Sequence, residues 1–579
     1  MGLAIVTIND KQIAVEPGTT ILEAANKLNI HIPTLCHLDM HDIKMVNKVA
    51  SCRVCVVEVA GRRNLAPACA TPVTDGMVIS TNTKRAIKAR RAVLELLLSD
   101  HPFNCLTCAK SLDCELQALA KQFGIEDVPY KGKMSTYPLD TSSRAIRREL
   151  DKCILCRRCE TVCNEMQTVG VLTGYGRGFE CVVSPAEMKP LSDTICTFCG
   201  QCINVCPTAA LTGISYIREV WDAINNPAKT VIVQTAPAVR VGIGEEFDMP
   251  PGRAATGKLV AGLRALGFDK VFDTDFAADL TIMEEAHELI GRLKDGKNLP
   301  ILTSCCPGWV NFLEFQFPNL INIPSSCKSP QQMFGAIAKS YYAEKIGVAP
   351  EDLIVVSIMP CIAKKYEAGR PEFAHESVPD VDYVLTTREL AKMFREAGIN
   401  PVELNDEAYD DPLGQASGAG VIFGVTGGVI EAALRTAYEW ITGKELKDVN
   451  FRDVRGMEGI KEATVNIAGT QVNIAVTSGL GNARKILEKI ESGEAEYHAI
   501  EIMACPGGCI NGGGQPFLHG DISRLEARMQ AIYDEDERQV VRKSHENPSI
   551  KKLYSDFLGE PGSAKAHEIL HTHYYKKGE

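Results

Sequence analysis

The sequence predicts a multidomain chain of mixed α+β and α/β class, with small cysteine-rich domains in front of one large α/β domain. Three observations predict it. The 579 residues are several times the roughly 100–150 of a typical domain. Sixteen of the 22 cysteines lie in the first 206 residues, mostly in tight clusters. Beyond about residue 218, apolar strand-like runs each enter a Gly/Pro/Cys loop and then an amphipathic helix, the rhythm of an α/β sheet.

Composition narrows the function classes. Hydrophobic residues at 45% and charged residues at 23% are ordinary globular usage, and no stretch approaches the ~18 apolar residues of a membrane span. The start, Met1-Gly2-Leu3-Ala4-Ile5-Val6, has no basic leader or cleavage site and runs into strand-like alternation, so cytoplasmic residence is expected. A net charge of -11 without a long basic run argues against nucleic acid as the main partner. In a reducing cytosol 22 cysteines point to metal ligation and away from a disulfide framework.

Residues 1–80 begin with alternation at 4–8 and 11–15 and a helix at 21–28, a small α+β domain. Cys36, the pair Cys52 and Cys55, and Cys69 fall in its loops. Their spacing resembles a plant-type 2Fe-2S ferredoxin module with an unusually long first gap, a structural zinc site being the alternative. In residues 81–140 a helix at 87–98 leads to His101, Cys105, Cys108 and Cys114, spaced H-x3-C-x2-C-x5-C. Zinc also accepts such a mixed set. Residues 1–125, including Ala68-Cys69-Ala70-Thr71-Pro72-Val73, are similar to the N-terminal part of the large iron-sulfur subunit of respiratory complex I. That resemblance implies a 4Fe-4S cluster on the histidine and three cysteines.

Residues 141–217 contain an internal duplication: Cys153, Cys156, Cys159 and Cys163 form C-x2-C-x2-C-x3-C, repeated by Cys196, Cys199, Cys202 and Cys206. Three cysteines at three-residue steps wrap three corners of a cubane, and the fourth of each run reaches the other cluster, so two 4Fe-4S centres lie side by side. Asn164 stands where Pro207 follows the second run, which alters the turn and not the ligand count. Together these ferredoxin-like domains call for one 2Fe-2S and three accessory 4Fe-4S clusters.

In residues 218–521 strands are expected at 230–234, 300–303, 353–358, 473–476 and 499–503, with sites beyond their carboxyl ends. Three loops there carry thiols: Thr303-Ser304-Cys305-Cys306-Pro307-Gly308-Trp309, Met359-Pro360-Cys361, and Met503-Ala504-Cys505-Pro506-Gly507-Gly508-Cys509. Thiolates from three strand ends can enclose one buried cluster, and of the adjacent Cys305 and Cys306 one is left free for other work. Gly252-Arg253-Ala254-Ala255-Thr256-Gly257-Lys258 mimics a phosphate loop, but Leu259 occupies the required Ser/Thr position. Gly-rich residues 418–428 lack dinucleotide-binding spacing, so NAD(H) chemistry needs another subunit.

The three loops together resemble the signature of the iron-only (FeFe) hydrogenases, and the resemblance covers nearly the whole chain. It implies an α/β FeFe-hydrogenase catalytic domain holding an H-cluster, with Cys306, Cys361, Cys505 and Cys509 on a 4Fe-4S cube. The Cys509 sulfur would bridge to a 2Fe subsite carrying CO, cyanide and azadithiolate. The implied reaction is reversible H2 oxidation and proton reduction. Cys305 would relay protons as a neutral thiol, continued by Glu285 and Glu288 on one face of a helix at 282–293, with Ser325 between them. Lys364 would face a cyanide, while Ala236, Pro237, Met359 and Met503 line the pocket. Cys181 and Cys327 are expected as incidental thiols. Residues 522–579 are expected to be helical, with a packing or docking role.

Electrons would pass through the N-terminal clusters, with ferredoxin or a flavin- and NAD(P)-binding subunit and a thioredoxin-like 2Fe-2S subunit as partners. The favoured expectation is the catalytic subunit of an NAD(P)-linked complex of anaerobic metabolism, electron bifurcation included. The alternatives are a self-sufficient ferredoxin-dependent hydrogenase, a non-catalytic iron-sulfur protein of cluster assembly, and a hydrogen sensor, which would append a signalling domain.

Overall fold

Alternation along Ala4–Ile8 turns Ala4, Val6 and Ile8 inward and leaves Ile5 outside. In the computed structural model, which describes residues 2–38, 49–467 and 469–578, this strand sits in a five-stranded sheet. The sheet runs Lys11–Val15, Ala4–Ile8, Val78–Ser80, Val56–Val59, Ala66–Pro67. The expected first helix is Ile21–Lys27, started by a capping box in which Thr20 and Glu23 satisfy each other's backbone amides. The long gap between Cys36 and Cys52 includes residues 39–48, outside the described residues.

The cysteine-bearing regions share one core. Leu94 and Leu98 of helix Lys84–Ser99 and Leu116 and Leu119 of helix Glu115–Gln122 pack with Cys36, Cys52, Ile154 and Cys156. Arg158, 1% exposed, locks this junction. It donates to both Glu115 carboxylate oxygens (2.6 and 2.8 Å) and to the His37 carbonyl (3.1 Å). Lys110 joins the same regions by donating to the Cys206 carbonyl (2.8 Å).

The large domain divides its strands between two four-stranded sheets. The first is all parallel, in the order Lys270–Asp273, Thr230–Thr235, Leu353–Met359, Tyr383–Thr386. The second orders Ile301–Leu302, Ala499–Met503 and Thr470–Ser478 in parallel, and Ile460–Ile467 closes it antiparallel. Strands buried on both faces carry unbroken apolar runs, as in Leu353–Met359. Two strands that flank the first sheet, Lys270–Asp273 and Tyr383–Thr386, were too short to show a pattern. The expected helix at 282–293 is the second half of Thr274–Asp295; its first half is buried all round, so no polar stripe marks it in the sequence.

The tail forms helices Ile522–Arg538, Pro548–Leu553 and Ala564–Leu570 that pack on the large domain. Asp536 pairs with buried Arg435 (2.8 Å), which also pairs with Glu431 (2.7 Å). Ser544 and Asn547 donate to buried Asp279 at 2.7 and 2.9 Å. Among the described residues no helix is long and apolar enough to cross a membrane.

Removing one partner of a buried pair strands the other charge, at a cost of about 3–5 kcal/mol. Asp536→Ala is therefore expected to loosen the tail from Arg435. Thermal unfolding and limited proteolysis check this, with a lower midpoint and new cleavage between residues 520 and 579 as the expected result.

Candidate functional site

Four strand ends converge. Thr230–Thr235 and Leu353–Met359 pair in parallel in the first sheet, and Ile301–Leu302 and Ala499–Met503 do so in the second, so all four chains leave at carboxyl ends. The loops that follow deliver Ala236 and Pro237, Cys305 and Cys306, Cys361, and Cys505 and Cys509 to one cavity, with Met359, Met503 and Lys364 also in its wall. Thr274, Ala278, Gln331 and Phe423 complete the lining; no sequence pattern had marked them. Gly508, at φ 98°, lets the third loop pass the Val425 and Thr426 backbone, where a Cβ would meet Thr426 N at 2.6 Å.

Burial raises the Cys306, Cys361, Cys505 and Cys509 thiols above the ordinary value, Cys361 to about 12, and neighbouring thiolate charge pushes Cys361, Cys505 and Cys509 up further. Four thiolates so placed need a cationic centre between them, and an iron-sulfur cube fits that donor set. The Ala504 amide points at the Cys306 sulfur, 3.4 Å away.

Cys305 opens onto the same cavity. Burial, then the charge of Glu285, hold its thiol well above the ordinary value, so it remains protonated. Glu285 is itself pushed up to about 8, first by burial and then by Glu288. Its Oε1 is buried with no hydrogen-bond partner among the described residues. The Ser325 hydroxyl donates to Glu288 (2.9 Å), and Glu288 pairs with Arg292 (2.6 Å) at the outer end. Glu285 and Glu288 share a helix face, and Ser325 and Glu288 are in direct contact. Arg292, one helical turn beyond Glu288, follows from the same face and had not been singled out.

Lys364 donates to the Cys305 carbonyl (3.1 Å) and to Glu367 (2.8 Å). Burial works against its charge, but Glu367, then Cys361 and Cys305, outweigh it and hold the ammonium above its ordinary value. Glu367 also accepts from Ser329 and Gln331, a bracket absent from the sequence-based expectations.

The accessory cysteines gather as their spacing anticipates. Cys153, Cys156 and Cys159 share a cavity with Cys206, while Cys163 shares one with Cys196, Cys199 and Cys202, so the fourth thiol of each run crosses to the other group. The second group abuts the catalytic loops: a Cβ at Gly513 would lie 2.8 Å from Gly200 Cα, and one at Gly308 would lie 3.6 Å from Cys199 Cα. In the first domain Cys55 and Cys69 sulfurs are 3.4 Å apart, and contact with Cys52 and Cys69 pulls the Cys36 thiol down while pushing those two up. His101 Nδ1 is buried with no hydrogen-bond partner among the described residues, and burial lowers the ring to about 4, which keeps the neutral, ligating form at neutral pH. Cys105, Cys108 and Cys114 are half-buried on the same segment.

Comparisons with known proteins agree in register with this layout. Residues 229–513 match the family described as iron only hydrogenase large subunit, C-terminal domain, and residues 522–577 match iron hydrogenase small subunit. Residues 5–84 match a 2Fe-2S iron-sulfur cluster binding domain, residues 90–129 the NADH-ubiquinone oxidoreductase-G iron-sulfur binding region, and residues 191–212 a 4Fe-4S binding domain. The chain is 59% identical to NADP-reducing hydrogenase subunit HndD of Solidesulfovibrio fructosivorans over 100% of both chains. It is 42% identical to iron hydrogenase 1 of Clostridium pasteurianum over 99% of this chain and 100% of that one. A solved [FeFe]-hydrogenase structure, HydA(deltaEFG), superposes on 63% of this chain and 100% of its own with a TM-score of 0.57 and 47% identity. The small-subunit match to the tail is a likeness that the sequence-based expectations lacked.

Because Glu285 is neutral when folded up to about 8 and ionises near 4.5 when exposed, the folded state binds the extra proton between those values. Stability contributed by this group is full below 4.5 and is lost as pH rises towards 8. Glu285→Gln is expected to flatten that part of the stability-versus-pH curve and to remove a carboxylic-acid C=O infrared band from neutral-pH spectra.

Proposed function

The chain belongs to the iron-only (FeFe) hydrogenases, and on that premise we propose that it is the catalytic subunit of a cytoplasmic, NAD(P)-linked assembly. It is an oxidoreductase acting on hydrogen, with ferredoxin-like iron-sulfur domains ahead of the catalytic domain. The observation that carries the finer reading is the convergence of Cys306, Cys361, Cys505 and Cys509 on one cavity, with an un-ionised Cys305 beside them. In this reading those four thiolates would hold the iron-sulfur cube of an H-cluster, with Cys509 beside its 2Fe subsite. When bound, the H-cluster supplies the di-iron site at which H2 interconverts with two protons and two electrons.

The chain's own residues supply the rest. Cys305 hands protons between the cavity and Glu285, and Ser325 passes them to Glu288, which Arg292 holds at the surface end by donating to its carboxylate. A thiol that stays neutral can both give and accept a proton without placing a bare charge in the cavity. Lys364 provides a fixed positive charge for an anionic ligand of the cluster. Ala236, Pro237, Met359, Met503 and Phe423 give the cavity apolar walls that restrict water.

Cys36, Cys52, Cys55 and Cys69 would hold a 2Fe-2S cluster, His101, Cys105, Cys108 and Cys114 a 4Fe-4S cluster and the duplicated runs two more, which together would supply a one-electron path to the cavity. This division follows domains at 1–80, 81–140, 141–217 and 218–521, with the tail at 522–579. The 59% identity over the full length to a subunit named as NADP-reducing supports an NAD(P)-linked complex with flavin-bearing and thioredoxin-like 2Fe-2S partners, and electron bifurcation is the mode this layout suits. A ferredoxin-coupled enzyme acting alone is the second reading, supported by the full-length likeness to iron hydrogenase 1.

In anaerobically matured protein, infrared bands of metal-bound CO and cyanide should accompany H2 turnover with a reduced dye. Cys305→Ala should keep the bands and lower turnover by about 10²–10⁴, the usual weight of one positioned proton donor. Cubane signals alone, with no turnover, would instead identify an assembly-type protein. Untagged purification carrying FMN supports the complex, and iron-sulfur protein without flavin supports the ferredoxin-coupled enzyme.

A further inference from the structure

Ser325, which stands in the outer half of the proton path, lies with Ser326 and Cys327 in a loop clasped from two sides. From inside, the Ser325 amide donates to the Leu302 carbonyl (2.7 Å), and the Ser304 hydroxyl donates to the Cys327 carbonyl (2.8 Å). Those partners precede Cys305 in sequence, so the inner clasp belongs to the active-site loop itself.

The outer clasp comes from the last residues of the tail. Tyr574 donates its hydroxyl to the Ser325 carbonyl (2.9 Å), the Thr572 amide donates to the Ser326 carbonyl (2.8 Å), and His571 Nδ1 contacts the Ser326 hydroxyl (2.8 Å). Cys327 and His571 face each other in an antiparallel bridge, and the Lys328 amide donates to the Leu570 carbonyl (2.8 Å). The far side of the His571 ring is fixed by Glu284 (3.1 Å), which also accepts from the Tyr554 hydroxyl (2.5 Å) and the Gly562 amide (2.9 Å).

What the loop does with this fixation is specific. Ser325 presents its hydroxyl and Ser326 its amide to the same Glu288 oxygen, at 2.9 and 3.2 Å, while the Cys327 amide donates to Ser325 Oγ at 3.2 Å. With that lone pair engaged, the Ser325 proton is directed at Glu288. A shift of the loop by about 1 Å breaks that contact, and displacements of this size cost up to about 100-fold in rate.

We propose that His571 and Tyr574 are positioning residues for the proton path: the tail holds the 325–327 loop at the register in which the Ser325 hydroxyl donates to Glu288. The tail is thereby part of the catalytic apparatus as well as a packing element. This rests on the Cys305–Glu288 route proposed above.

The test compares Tyr574→Phe and His571→Gln with Glu288→Gln in full-length matured enzyme, with circular dichroism and iron content as controls for folding. Tyr574→Phe removes one hydroxyl and keeps the ring, so it guards against a His571 variant that fails to fold. Both tail variants are expected to lower kcat about tenfold or more with an unchanged KM for H2, to enlarge the solvent deuterium effect, and to shift the carboxylic-acid C=O band assigned to Glu285. Their cluster CO and cyanide bands should not move. Wild-type kcat, isotope effect and carboxyl band in both tail variants, alongside a Glu288→Gln enzyme that has lost turnover, would overturn the clasp and leave the route standing. A fully active Glu288→Gln enzyme would overturn the route, and the clasp with it.

Discussion

Thiolate charge in a low-dielectric interior is the constraint on which the structure depends. Four sulfurs buried within one cavity cannot ionise together unless a cation lies among them, because burial and mutual repulsion both raise their pKa values. The polypeptide must therefore be rigid enough to hold the thiols together before the cluster offsets their repulsion. Two sheets with parallel strands ending at the same place provide that rigidity, since three of the four loops leave strands paired on both sides and the fourth leaves edge strand Ile301–Leu302. The remaining polar groups are arranged round the same problem: Lys364 brings a compensating charge, and Glu285 avoids adding a negative one by staying protonated.

The same logic explains how the accessory domains sit. Electron transfer falls off steeply with distance, so a cluster-bearing loop has to touch the catalytic loops with nothing between them. Gly200 and Gly513 let two backbones meet where any side chain would intrude, and Cys199 lies close enough for its charge to be felt by Cys505. Further out, Arg158 and Lys110 bind the His101 region to the duplicated runs through side-chain contacts on Glu115 and the Cys206 carbonyl.

Much of this was legible in the sequence, for identifiable reasons. Ligand chemistry writes itself in spacing: the runs from Cys153 and Cys196 imply an exchange of their fourth thiols, and Cys206 and Cys163 lie in the cavities of the opposite runs. Strand ends were legible because apolar runs stop at Gly, Pro or Cys, as at Met359 and Met503. Three things were not. Helix Thr274–Asp295 was only half visible because a helix buried on every side has no amphipathic period. The division into two sheets depends on which strands pair, a non-local choice that no single segment encodes. The tail was expected to pack or dock, but its contacts through Tyr574 and His571 were not legible, because their partners lie some 250 residues away in the chain, at separations of 249 and 245.

The most direct test of the central claim is an anomalous-difference map collected at the iron edge from anaerobically matured crystals. The account predicts one compact iron feature bounded by Cys306, Cys361, Cys505 and Cys509, with a second iron feature joined to it at the Cys509 sulfur and extending towards Met359 and Lys364. Iron confined to the N-terminal motifs, or a cube in the cavity of fully matured, active protein with nothing beyond Cys509, would contradict it.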